Sequence, residues 1–258
     1  MRAGISKSVL PAAVLALLAA FTAVPAQASP CAETHFEGAD YIVCTIDSDA
    51  DLRLFWKNGA DQPYRTFANV AAAISEEGRE LVFAINAGMY RPDFTPLGLY
   101  VEHGRELRPA DTTSMEGPPR QIPNFYKQPN GVFVLGEAGA GILPTEDFLA
   151  TRPDVRFATQ SGPMLVIAGA LHPALIPGST DRTRRSGVGI CAAGQIRFAI
   201  SESGVNFHDF ARLFRDRLAC PDALFLDGGR GAGFYLPEMG RNDFSWHGGY
   251  GPIFGLIE

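Results

Sequence analysis

Three short polar stretches hold the residues best suited to chemistry in this 258-residue chain, each at the end of a predicted strand and beside glycine. The first, Asn86-Ala87-Gly88-Met89-Tyr90, follows the apolar run Leu81–Ile85. A carboxamide leaving a buried strand can meet a ligand there, because glycine lets backbone approach closely; a left-handed turn at Asn gives the same pattern. The second is Leu226-Asp227-Gly228-Gly229. Its carboxylate suits catalysis or sugar binding, and its glycine N–H groups could cradle an anion; a plain Asp-Gly turn is the alternative. The third is Arg182-Thr183-Arg184-Arg185-Ser186-Gly187. Guanidinium forks match phosphate oxygens, although a solvated charge run reads the same way. Thr159-Gln160-Ser161-Gly162-Pro163 suits a tight turn at a site edge, and Asn130-Gly131 a hairpin. His35, His103, His172, His208 and His247 are scattered and fit surface or structural roles.

These groups need a strand-rich frame. Tyr41–Asp47, Leu52–Trp56, Leu81–Ile85, Gly131–Leu135, Ala140–Leu143, Val155–Thr159, Met164–Ile167, Ala223–Leu226 and Pro252–Ile257 read as strands. Hairpins are expected about His103-Gly104-Arg105 and about Ala193-Gly194. Helical spacing predicts a helix over Thr66–Glu77 and another from about Asn206, and Thr145 is expected to cap a short helix through Ala150. Pro109–Gln128 and Arg230–Gly251 lack regular pattern, and loops of that length in a compact domain are often functional. The expected class is α+β: a single domain of mixed, largely antiparallel β-sheet with a few packed helices.

Composition bounds the rest. With 46% hydrophobic and 19% charged residues, the chain can build a packed core and is not disordered. Arg2 and Lys7, the apolar residues up to Val24 and Ala26-Gln27-Ala28 read as a secretory signal peptide over residues 1–28. An uncleaved anchor is the alternative, but the run is short for a span of about 20 residues. Cleavage would leave residues 29–258 as one domain in the periplasm or outside the cell, with no stable membrane insertion, and take the formal charge from −6 to −8. An acidic chain is a poor nucleic-acid partner. Cys31, Cys44, Cys191 and Cys220 allow three pairings; the shortest loops favour Cys31–Cys44 and Cys191–Cys220. There is no C-x-x-C, G-x-S-x-G, H-E-x-x-H, P-loop or dinucleotide fingerprint, so no metal site and no cofactor are assigned. Nothing in the sequence sets the oligomeric state.

Several blocks occur in order along the chain: Asn86-Ala87-Gly88-Met89-Tyr90, Pro96-Leu97-Gly98-Leu99-Tyr100, Asn124-Phe125-Tyr126, Pro129-Asn130-Gly131-Val132-Phe133, Gln160-Ser161-Gly162-Pro163-Met164-Leu165, Gly187-Val188-Gly189 and Leu226-Asp227-Gly228-Gly229. Together they resemble the phosphodiester glycosidase family. The resemblance runs from about Cys31 to the C-terminus and is strongest to exported bacterial members. Asn86–Tyr90 is similar to the family's Asn-Gly-Gly-Phe-Phe block, Arg185–Gly189 to its Arg-Thr-Ala-x-Gly block, and Leu226–Gly229 to its Leu-Asp-Gly-Gly-Gly-Ser block. Arg230-Gly231 replaces the Gly-Ser ending, Ser186-Gly187 replaces Thr-Ala, and Ser201-Glu202-Ser203 stands where the family has Asp-Gly-Arg.

The resemblance implies hydrolysis of a sugar-1-phosphodiester in envelope or extracellular glycans, with a sugar-phosphate or glycan as partner. On that reading the catalytic residues are Asp227, Arg185 and Asn86. Arg185 and Arg184 would hold the phosphodiester, with Gly228 and Gly229 assisting, and Gln160, Ser161 and Asn130 would line the substrate site. A phosphate leaving group needs little protonation, so one essential carboxylate can suffice. Two-carboxylate chemistry would recruit Glu102, Asp181 or Glu202. The alternatives are a non-catalytic binder of cell-envelope glycans using the same cleft, and a serine hydrolase using Ser161 or Ser186.

Overall fold

The computed structural model describes Met1, Gly4 and residues 29–258. The expected signal peptide therefore falls almost wholly outside the described residues. In chain order the elements are β1 (Cys31–Phe36), β2 (Ala39–Ile46), β3 (Leu52–Phe55), α1 (Phe67–Glu76), β4 (Leu81–Asn86), β5 (Tyr100–Glu102), β6 (Arg105–Arg108), β7 (Gly131–Gly136) and β8 (Gly139–Pro144). They continue with α2 (Thr145–Thr151), β9 (Phe157–Ser161), β10 (Met164–Ile167), β11 (Ala170–Leu171), β12 (Arg185–Ile190), β13 (Ile196–Ser201), α3 (Phe207–Arg212), β14 (Asp222–Gly228), β15 (Phe234–Leu236), β16 (Arg241–Asn242) and β17 (Ile253–Ile257).

The strands form three sheets with orders β1-β2-β13-β12-β14-β10-β11, β16-β15-β4-β17-β3 and β6-β5-β9-β7-β8. Pairing between these strands is antiparallel, as between β12 and β14 or β4 and β17. The fold is α+β, as the sequence implied.

Side chains alternate along each strand, so one set faces a shared centre and the other faces out. In β2, Ile42, Cys44 and Ile46 enter the central core while Tyr41 and Val43 face out. That core also takes Phe83 and Ile85 from β4, Phe133 from β7, Phe198 from β13 and Leu224 and Leu226 from β14, so all three sheets share it. Each outer face carries its own helix. Phe210, Ala211 and Phe214 of and after α3 pack on the seven-stranded sheet. Phe67, Val70 and Ile74 of α1 pack on Ala84 and Ile253. Phe148 of α2 packs with Val132, Val134 and Ala158.

Local signals explain the helix starts. Thr66 caps α1 by accepting from the Asn69 N–H at 3.1 Å, and Asn206 caps α3 by accepting from the Asp209 N–H at 2.8 Å. Thr145 does not cap α2. Pro144 holds the cap position, and the Thr145 hydroxyl instead donates to Asn130 Oδ1 at 2.8 Å. Both disulfides join the expected partners: Cys31–Cys44 ties directly opposed residues of β1 and β2, and Cys191–Cys220 fastens the β12–β13 turn to the chain entering β14.

Candidate active site

Asp227 sits at the end of β14, where the ladder with β12 slips by one residue. Gly187 pairs with Phe225, but Ser186 pairs with Asp227, so Leu226 is the extra residue of a bulge. The slip decides what shares a face. Asp227 goes with Ser186, on the side of Val188 and the central core, whereas Arg185 pairs with Gly228 and points to the outer face.

Arg185 is accordingly buried against α3. Its guanidinium lies 3.6 Å from the centre of the Phe207 ring and 5.7 Å from that of Phe225. Its Nε donates to the Val205 carbonyl at 2.8 Å, and Nη2 to the Asp181 carbonyl at 3.1 Å and carboxylate at 3.4 Å. Burial brings its pKa down to about 10, against the pull of Asp181. The other two arginines also have acid partners. Arg184 bonds Asp243 at 2.7 Å in a network with Glu202 and Arg241, and Arg182 reaches Asp209 at 3.5 Å.

The Asp227 carboxyl opens into a cavity of about 510 Å³ lined by Met89, Tyr90, Arg91, Pro92, Phe94, Leu97, Gly228, Gly231 and His247. Burial pushes its pKa from 3.8 up to about 7, opposed only by the Gly228 N–H, which donates to Oδ1 at 2.7 Å. No cation holds it down. Gly231 makes the room, since a Cβ there would fall 2.1 Å from Asp227 Oδ2. The Tyr90 ring stacks on Phe94 at 5.8 Å, and its hydroxyl donates to the Gly249 carbonyl at 2.8 Å. Burial raises the Tyr90 pKa, and the charge of Asp227 adds to the rise. Arg91 is exposed and supplies the cavity's cation.

Asn86 stands behind this cavity rather than in its lining. Fully buried at the end of β4, it accepts from the Gly233 N–H at 3.1 Å and so pins the loop that follows Asp227. Its Nδ2 donor has no partner, nor has the buried Tyr250 hydroxyl packed on Gly233. Gly88, at φ +148°, lets the next turn lie on Gln160, where a Cβ would sit 3.3 Å from that carbonyl.

The other expected substrate groups are bound to protein. Gln160 accepts from the Leu99 and Asp111 N–H groups and donates to the Asp111 carbonyl and Thr145 hydroxyl, fastening the start of the 109–128 loop. Asn130 donates to the Phe125 carbonyl at 2.9 Å. Ser161 donates to the Leu226 carbonyl at 3.0 Å and Ser186 to the Asp227 carbonyl at 3.1 Å; neither hydroxyl bonds a histidine. The Gly229 N–H donates to the Arg184 carbonyl at 2.8 Å. Of the possible second carboxylates, Glu102 receives the Tyr100 hydroxyl, Asp181 faces Arg185, and Glu202 pairs with Arg241. None of the three lines the Asp227 cavity.

A second cavity of about 580 Å³ lies on the Arg185 side, lined by Arg120, Asn124, Lys127, Asp181 and Phe207 among others. Its carboxylate, Asp181, is 71% exposed and already paired with Arg185, whereas the Asp227 carboxyl is desolvated. Proton chemistry therefore favours the Asp227 cavity. Sequence reasoning missed Arg91, and it placed His247 among residues without a role; only the fold, by closing the 89–97 turn and the 228–247 loop around Asp227, could reveal them.

Fold and site together define a β-rich scaffold in which a desolvated acid, Asp227, stands at the end of β14 and opens into a cavity. The profile of the phosphodiester glycosidase family matches residues 79–250, more than half of the chain, and the protein belongs to that family. It is 33% identical over 177 residues to the uncharacterized protein YigE of Escherichia coli, a match covering 69% of this chain and 66% of that one. Solved structures share the fold. The catalytic domain of zebrafish N-acetylglucosamine-1-phosphodiester alpha-N-acetylglucosaminidase, auto-inhibited by its pro-peptide, superposes with a TM-score of 0.60 at 14% identity, covering 88% of this chain and 81% of that one. A hypothetical protein from Synechocystis gives 0.52 at 15% identity, covering 88% of this chain and 61% of that one.

Proposed function

We propose that this chain hydrolyses a sugar-1-phosphodiester, breaking the bond between the anomeric carbon and the phosphate oxygen, with Asp227 as the acid/base. The observation that carries the reading is a carboxyl with a pKa of about 7 in a cavity that holds a single cation, Arg91. A general acid or base works best when its pKa lies near the working pH. Water adds to the anomeric carbon as Asp227 takes its proton, and the phosphate monoester leaves as a stable anion with both bonding electrons. The leaving group needs no second acid, in keeping with a cavity where Asp227 is the sole acidic lining residue.

Arg91 meets the phosphate at the mouth. Asn86 acts at a distance, as a positioning residue, through Gly233 and the loop bearing Asp227. Arg185 holds α3 and the 181–185 segment against β14 from the other face, and so positions the strand end. The substrate belongs to envelope or extracellular glycans. Two disulfides fit an oxidising compartment, and no helix among the described residues is long and apolar enough to cross a membrane.

The experiment is to purify the chain from residue 29 onward and supply UDP-N-acetylglucosamine and a methyl phosphodiester of N-acetylglucosamine-1-phosphate. Free sugar should accumulate with wild type and fall by about 10²-fold or more with Asp227→Asn. Binding without turnover in wild type would instead favour the glycan-binder alternative.

A further inference from the structure

Phe244 and Trp246 are 63% and 80% exposed, the only aromatic residues among the described ones left so open to solvent. They sit two apart on one loop, with ring centres 5.9 Å apart and planes at 86°. The loop beneath them is fixed. Ser245, between them, is buried and donates to the Arg230 carbonyl at 3.0 Å, three residues after Asp227. Arg65 donates to the Gly248 carbonyl at 2.8 Å while stacking on Phe94, and Tyr90 donates to the Gly249 carbonyl. The next residue, His247, lines the Asp227 cavity. The two rings are thus displayed on a braced base at the cavity rim.

We infer that Phe244 and Trp246, set at right angles, form a corner that holds a second sugar ring stacked on the indole, next to the sugar whose phosphodiester is cleaved. A pyranose offers one face of C–H groups, which suits the electron-rich face of an indole. Two residues are far too small a patch for a stable protein partner, which needs roughly 1,000 Å². The inference rests on the proposed glycosidase reading and narrows it: the preferred substrate is an oligosaccharide or polymer bearing the phosphodiester, and a lone sugar on a small alcohol is a minimal, weaker substrate.

The test exploits the chain's two tryptophans, of which Trp56 is buried. Tryptophan emission is followed while the protein from residue 29 onward is titrated with tetrasaccharides of N-acetylglucosamine, glucose and mannose, and with the matching monosaccharides. A saturable blue shift with at least one tetrasaccharide is expected, at least tenfold weaker with its monosaccharide. The shift should weaken at least tenfold in Phe244→Ala, which keeps the reporting indole and whose exposed site leaves folding intact, and persist in Asp227→Asn. Persistence there keeps this test separate from the chemistry: a wild-type protein that shows the shift but turns over no phosphodiester refutes the glycosidase reading alone. Absence of a shift with all three tetrasaccharides overturns the inference. So does a shift produced only by phosphatidylglycerol vesicles, which would make the rings a lipid contact.

Discussion

Replacing Asp227 by Asn should abolish turnover and make the protein more stable, an unusual pairing for a single substitution. The carboxyl titrates near 7 in the fold against 3.8 for an unperturbed group. Three pH units correspond to at most about 4 kcal/mol of preferential protonation in the folded state. Because the folded pKa is the higher one, wild-type stability from this group is intact below about pH 4 and drains away as pH rises to about 7. Asn keeps the neutral shape and can still accept the Gly228 N–H, but does not ionise. The Asn variant should therefore gain about 1–2 kcal/mol over wild type at pH 5 and up to about 4 kcal/mol at pH 8, roughly 10 °C in melting temperature for a chain of this size. Urea midpoints at the two pH values measure this. An Asn-minus-wild-type difference that is the same at pH 5 and pH 8 would show that Asp227 is not desolvated, and the acid/base assignment would fall with it.

Other substitutions separate chemistry from architecture. Gly231→Ala puts a Cβ onto the Asp227 carboxylate; the carboxylate can swing aside, so melting should change little while kcat drops about 10²-fold. Arg185→Ala leaves the buried Val205 carbonyl without its donor and empties the space against Phe207, and should cost about 1–3 kcal/mol of stability, read by urea unfolding; a stable, inactive variant would place the arginine in the reaction itself. Converting Cys191 and Cys220 to Ser opens a 29-residue separation and should lower stability by about 2–4 kcal/mol, seen as an equal loss when wild type is reduced at that bond.

Much of the frame was legible because buried strands announce themselves as apolar runs. Leu81–Ile85, Gly131–Leu135 and Met164–Ile167 all became strands, and Thr66 and Asn206 carried recognisable caps. β1 was not legible: Cys31–Phe36 is an edge strand with Glu33 and Ala32 in solvent and no apolar alternation. β15 and β16 hid inside the 230–251 stretch for a different reason: at three and two residues they are too short to show a period. The family and the role of Asp227 as candidate could be read from short motifs. The parity of β14 could not. A bulge at Leu226 leaves no mark in the sequence, yet it turns Asp227 to one side of the sheet and Arg185 to the other. Gln160 and Asn130, polar and near glycine, looked like ligand groups; they are the bolts of the 109–128 and 124–130 loops, a distinction carried by partners far away in sequence.

The most direct measurement runs the reaction of the N-acetylglucosamine-1-phosphodiester in ¹⁸O-water and locates the label. Cleavage at the anomeric carbon places ¹⁸O on the released sugar and leaves the phosphate monoester unlabelled by mass and by phosphorus NMR, in wild type and not in Asp227→Asn. Label on the phosphate would mean that water attacks phosphorus, and the chain would be a phosphodiesterase rather than a glycosidase.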